Sequence, residues 1–145
     1  MKIVPLDKEN IDIVFNDLWD IGKKEIALFD ESVESKKESF IKMIGLPFTG
    51  ALCDDNDQPC ALVALKRENQ FKWTSNFVAI EGGFRKIYVH ATSLFIKISD
   101  RIVSNRVSEI EIRSAYKFGK PSKWFEFMGF KYEGGTRTEH YYVKR

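Results

Sequence analysis

Glu81-Gly82-Gly83-Phe84-Arg85-Lys86 opens the stretch, residues 81 to 132, whose reading decides the fold. Behind the glycine pair, apolar residues recur at Phe84, Ile87, Tyr88, Ala91, Leu94, Phe95, Ile98 and Ile102, at intervals of three and four. That spacing paints one stripe on a helix ending near Ser104 or Asn105, and such a stripe must lie on something flat and apolar. Val107-Ser108-Glu109-Ile110-Glu111-Ile112-Arg113 follows with the alternation of a strand buried on one face. A helix of roughly five turns between two strands has the length of a crossover. The strand before it, from 71 to about 80, is therefore expected to run parallel to the 107–113 strand and close to it. A short helix is expected from 121 to 128, since Pro121 suits a first helical turn and Gly129 supplies the left-handed residue that ends it. Phe130 and Tyr132, then Tyr141 and Val143, read as closing strands with Gly134-Gly135 as the turn between them.

Toward the amino terminus, residues 2 to 5 read as a first strand. Asp7 is placed to cap a helix, its side-chain oxygen accepting from the free N–H groups of the first turn. Ile11, Val14, Phe15, Leu18, Trp19 and Ile21 give that helix a broad apolar face, and Gly22 breaks or weakens it before Ile26, Leu28 and Phe29. Ser35-Lys36-Lys37-Glu38 has the pattern of a capping box leading into Phe40, Ile41, Met43 and Ile44, with Gly45 as the stop. From Pro47 the period becomes that of strands, over 48–53, 61–66 and 71–80. The expected order is strand, two helices, three strands, long helix, strand, short helix and two strands, in one domain covering residues 1–145.

The 145 residues are 43% hydrophobic and 30% charged, with 12 Phe, 5 Tyr and 3 Trp, enough apolar mass for a proper core. No stretch approaches the length of a membrane span, and the amino terminus lacks a signal-peptide core, which leads to the expectation of a cytoplasmic protein. Cys53 and Cys60 flank a polar turn and are expected as thiols rather than a disulfide. With only His90 and His140 and no clustered Cys/His spacing, no metal site is expected. Three aspartates in that turn lack the glycine and the closing glutamate of a calcium loop. Charge is lopsided: residues 1–59 hold 7 Lys/Arg against 13 Asp/Glu, and residues 60–145 hold 16 against 8. A basic second half suits a phosphorylated cofactor or nucleic acid, or else the acidic helices sit against the basic part of the sheet.

The order of elements, with Trp124-Phe125-Glu126-Phe127-Met128-Gly129-Phe130 near the end, resembles the GNAT superfamily of acyl-coenzyme A-dependent N-acyltransferases. More loosely, Trp73-Thr74-Ser75-Asn76 and Phe84-Arg85-Lys86 resemble the small GNAT-like proteins of tailed bacteriophages. The resemblance implies an α/β (α+β) fold: a mixed, mostly antiparallel sheet with one splayed parallel strand pair and helices on both faces. It also implies acetyl-coenzyme A in the splay, its pyrophosphate on the backbone N–H groups that begin the long helix. On this chain the cofactor-binding residues would be Ile80, Gly82, Gly83, Phe84, Arg85 and Lys86, a partial match to the family's Arg/Gln-x-x-Gly-x-Gly/Ala. Glu81 departs from that pattern by placing an anion in the loop.

Many family members carry a general-acid Tyr where this chain has Phe125, and an Asn where it has Phe118. Tyr116, Ser122 and Tyr132 are the neighbouring hydroxyls, with Ser122 and Glu81 taken as the catalytic candidates, Glu81 as the base. Glu68, Glu109 and Glu111 are further carboxylates near the central strands. The implied function is acetyl transfer to a small-molecule or protein amine. The alternative is a GNAT-fold binding protein without catalysis, with a protein partner in a phage virion, in assembly or in the host, its location then host cytoplasm or virion. A third reading places nucleic acid on Lys117, Lys120, Lys123, Trp124 and Phe125. Dimerisation through the closing strands is common for this fold, so a homodimer is also considered.

Overall fold

The computed structural model describes every residue of the chain except Asp30. Its elements, in chain order, are β1 (Lys2–Val4), α1 (Lys8–Asn16), α2 (Asp20–Leu28), α3 (Val33–Lys42), β2 (Thr49–Cys53), β3 (Pro59–Arg67), β4 (Lys72–Ala79), α4 (Gly83–Val103), β5 (Glu109–Ser114), α5 (Lys120–Phe127), β6 (Lys131–Gly135) and β7 (His140–Lys144). The strands form one sheet in the order β1-β2-β3-β4-β5-β7-β6. Every neighbouring pair is antiparallel except β4 and β5, which are parallel, as the crossover argument requires.

The side-chain alternation of β3 explains why both faces of the sheet are covered. Leu62 and Ala64 point into a core with Ile11, Val14, Ile26 and Phe40 from α1, α2 and α3. Ala61, Val63 and Leu65 point the other way, toward Ile87 and Ala91 of α4 and toward Phe125 of α5. A strand buried on both faces has to be apolar at successive positions, which is how residues 60–65 read.

Four local expectations are corrected. Three helices, not two, precede β2. The break falls at residues 17–19 because Leu18 leaves the helix to form a β-bridge with Ile80, while the Trp19 amide donates to the Ala79 carbonyl at 2.9 Å. Gly22 breaks nothing: it lies inside α2, and a Cβ there would come within 2.7 Å of the Trp19 indole. α3 starts three residues earlier than the Ser35 pattern implies, since Ser32 is the cap and Ser35 completes the reciprocal pair with it at 2.9 and 3.0 Å. Gly134 and Gly135 are not the closing turn. They sit in β6 at a register shift, and residues 136–139 make the turn. Asp7 does cap α1, accepting from the Asn10 amide at 2.7 Å.

A buried lysine ties the far end together. Lys144 of β7 is 7% exposed, and its Nζ donates to Ser99 Oγ at 2.7 Å and to the Met128 carbonyl at 2.8 Å while pairing with Asp100 at 2.8 Å. One ammonium thus joins α4, the C-terminal end of α5 and β7. Cys53 and Cys60 are both buried free thiols, and burial pushes both thiol pKa values up. Lys144→Met is expected to cost about 2–3 kcal/mol, because Ser99 and the Met128 carbonyl lose their partner in the interior. Thermal unfolding followed by circular dichroism should show this as a drop of roughly 5–10 °C.

Candidate functional site

β4 and β5 pair over only three positions, Lys72 with Glu109, Trp73 with Ile110 and Thr74 with Glu111. Beyond Thr74 the two strands diverge: β5 continues along β7 while β4 continues along β3. At its far end the β5-facing side of β4 is covered again, by the 17–19 linker bonded to Ala79 and Glu81. Between these two points lies a cleft of about 1230 Å³, reaching from the α2/α3 side of the sheet to the α4/α5 side. That exceeds the roughly 300–1,000 Å³ of an ordinary small-molecule pocket.

One end of the cleft is aromatic. Trp124 of α5 packs 5.1 Å from Phe84 and 5.8 Å from Phe77 between ring centroids, and Trp19 packs 5.7 and 5.8 Å from the same two rings. The Trp124 indole N–H donates to Thr92 at 2.9 Å, so this ring is fixed from α4. Phe125, next to it, is 8% exposed and packs 5.0 Å from Tyr142. The two rings placed in a nucleic-acid platform by sequence therefore form a cleft wall and part of the core.

The loop at the start of α4 opens on this aromatic end. Gly82 sits in the left-handed region at φ +73° with nothing within 4 Å of a would-be Cβ. Gly83 is different, since a Cβ there would overlap the Ile80 side chain. The amides of Phe84, Arg85 and Lys86 lie in the first helical turn, where N–H groups lack intrahelical partners, and no acidic residue stands in that turn. Arg85 is exposed, and Lys86 reaches Asp54 at 3.8 Å. Glu81 lines the cleft, but its Oε2 accepts from the Asp20 amide at 3.0 Å, turning the anion toward the first turn of α2. The loop therefore fits a phosphate: an open glycine, free amides and two cations, Lys86 facing Asp54 and Arg85 exposed, with Glu81 drawn to another helix.

The opposite end of the cleft, on the α2/α3 side, is charged. Glu25 of α2 accepts at Oε1 from Ser114 Oγ (3.0 Å) and from the Ala115 amide (3.3 Å), and burial pushes its pKa above the usual carboxylate range. Lys36 of α3 donates to Asn76 Oδ1 of β4 at 3.2 Å, and burial pulls its pKa below the usual lysine range. Arg113 pairs with Glu31 and with Glu139 at 3.6 Å and lies 4.0 Å over the Phe29 ring. Two of these pairs, Glu31 with Arg113 and Asp54 with Lys86, join the acidic first part of the chain to the basic second part.

Ser122 does not line the cleft. It is 5% exposed, and its Oγ accepts from the buried Tyr142 hydroxyl at 2.9 Å. Glu68 accepts from Thr74 and Glu109 pairs with Arg145, while Glu111 lines the cleft paired to Lys72. Sequence reasoning missed Glu25, Lys36 and the ring cluster. A period-3.6 pattern marks which helical residues face a core, and Glu25 and Lys36 are charged residues on otherwise apolar-patterned helices.

No protein-family model matches the sequence, and none of the curated proteins matches it. Solved structures do match. A GNAT-family acetyltransferase from Bacillus anthracis superposes with a TM-score of 0.66 at 12% identity, covering 97% of this chain and 92% of that one. Spermidine N-acetyltransferase from Vibrio cholerae, in complex with coenzyme A and spermine, superposes with a TM-score of 0.64 at 16% identity, covering 98% and 92%. The chain therefore has the fold of the GNAT acetyltransferases, with the mostly antiparallel sheet and the single parallel pair described above.

The Glu25 environment has a measurable signature. A carboxyl whose pKa rises on folding stabilises the protein most below its ordinary value, and the contribution is lost as pH rises through the folded pKa. Glu25→Gln keeps an acceptor for Ser114 and Ala115 and removes that loss. Its melting temperature relative to the parent is expected to climb as pH rises above the ordinary carboxylate range, as read by scanning calorimetry.

Proposed function

We propose that the chain is an acyl-coenzyme A-dependent N-acetyltransferase acting on a small-molecule amine. The observation that carries this reading is the three-residue pairing of β4 with β5, which leaves one cleft with a phosphate-compatible loop at one end and a half-buried carboxylate at the other. The neighbours on this fold are acetyltransferases, and one of them is described in complex with coenzyme A and spermine.

In this reading the first-turn amides of α4, with Arg85 and Lys86, would hold the pyrophosphate, and the stretch of β4 from Ser75 to Val78 would hold the rest of the cofactor. When bound, acetyl-coenzyme A supplies a thioester carbonyl, whose acetyl group passes to the amine as the C–S bond breaks. Phe77, Phe84 and Trp124 exclude water from that end, which strengthens every electrostatic interaction inside. Glu25 takes the proton from the acceptor ammonium, directly or through one water, and its raised pKa brings it toward the pH at which a base works best. Glu81, the base expected from sequence, lies in the same cleft, with one oxygen already committed to α2. Phe125 stands where a proton-donating tyrosine is common, so the second proton shed by the attacking nitrogen reaches the leaving thiolate through solvent. Most of the rate then comes from positioning.

Millimolar acetyl-coenzyme A is expected to raise the melting temperature by several degrees, since a ligand of the native state adds RT ln(1 + [L]/Kd). Arg85→Glu should abolish the rise and leave the unliganded melt unchanged, because Arg85 is exposed. Substitution of Gly83 is a poor test, as its effect on packing hides any effect on binding. No rise with the parent protein would shift the assignment to a GNAT-fold binding protein without catalysis. With an accepted amine, Glu25→Gln is expected to lower kcat by about 100-fold or more, and Glu81→Gln by less than about tenfold. The opposite order would return the role of base to Glu81.

A further inference from the structure

The charged end of the cleft holds two opposite charges that do not meet. Glu25 uses Oε1 for both of its hydrogen bonds, and Oε2 accepts none among the described residues. Lys36 spends one N–H on the Asn76 amide oxygen, and no carboxylate among the described residues lies in ion-pair contact with it. Both side chains line the cleft, and each alters the titration of the other through space, with Glu31 acting on Lys36 more strongly than Glu25 does. The surrounding charges are occupied: Arg113 by Glu31 and Glu139, and Glu111 by Lys72.

Two desolvated charges of opposite sign held apart in one cavity are costly, because each gives up water without gaining the other. Burial accordingly drives both toward their neutral forms. A molecule carrying both a cation and an anion removes that cost at both ends. A polycation does not: its second ammonium would meet Lys36. A simple alkylamine satisfies Glu25 and leaves Lys36 with a single neutral partner.

We infer that the acceptor is a zwitterionic amine, whose ammonium faces Glu25 and whose carboxylate or phosphonate faces Lys36. This rests on the acyltransferase reading for the reaction, and it sets the chemical class of the acceptor. Recognition by Lys36 is a charge-assisted hydrogen bond in a partly dry site, the kind whose loss is felt most. Lys36 is thereby a specificity residue that does no chemistry.

The test compares n-propylamine, β-alanine, 2-aminoethylphosphonate and spermidine as acceptors for the full chain, with thiol release from acetyl-coenzyme A as readout. β-Alanine and the phosphonate are expected to exceed n-propylamine in kcat/KM by about tenfold or more. Lys36→Met should collapse that ratio toward one, while its melting temperature reports that it is folded. Spermidine or n-propylamine turned over as well as the zwitterions, or a ratio unchanged in Lys36→Met, would overturn the inference. If no amine releases thiol, the acyltransferase reading fails and melts decide the anion site separately. A rise with millimolar β-alanine but not n-propylamine, lost in Lys36→Met, supports it, and no rise with β-alanine rejects it.

Discussion

Three residue pairs between β4 and β5 are the constraint on which the rest depends. A parallel pair that zipped along its whole length would close the sheet and leave no cavity. Here β5 is drawn to β7 and β4 to β3, so the two strands separate after Thr74 and the sheet opens at its middle. The opening persists because each flank is buttressed separately. The α1–α3 core packs against β3 and β4 on one side, and Lys144 with Phe125, Met128 and Tyr142 locks α4, α5 and β7 on the other. An open sheet exposes backbone groups, and that cost is bearable only where the surrounding packing over-determines the geometry.

The two ends of the opening differ because different helices reach them. α4 and α5 deliver rings, and edge-to-face contacts among Trp19, Phe77, Phe84 and Trp124 make an apolar wall. α2 and α3 deliver Glu25 and Lys36, half-buried beside the sheet. An apolar aromatic end beside an ionisable end is the contrast on which the proposed acyl transfer rests.

The loop before α4 shows how a charge that reads one way in sequence is redirected in space. Read in one dimension, Glu81 opposes an incoming phosphate. In three dimensions the carboxylate is drawn to the Asp20 amide, because the 17–19 linker brings the start of α2 alongside the end of β4. The same linker explains why the first helical stretch splits, an outcome that helix propensity at Gly22 does not foretell.

The amino-acid sequence by itself determined the long helix, the parallel crossover, the apolar centre of the sheet, the Gly129 stop of α5 and the placement of residues 80–86 at a helix start. Each of these is a periodicity or a backbone preference, carried by neighbours within a few positions. Tertiary structure alone decided the divergence of the strands, the placement of Glu25 and Lys36 in the cleft, the burial of Ser122 under Tyr142 and the redirection of Glu81. Those depend on contacts between residues far apart in the chain, such as Glu25 with Ser114 and Lys36 with Asn76. A charged residue on an amphipathic helix reads as solvent-facing until the element that covers it is known, and only the packed sheet supplies that element.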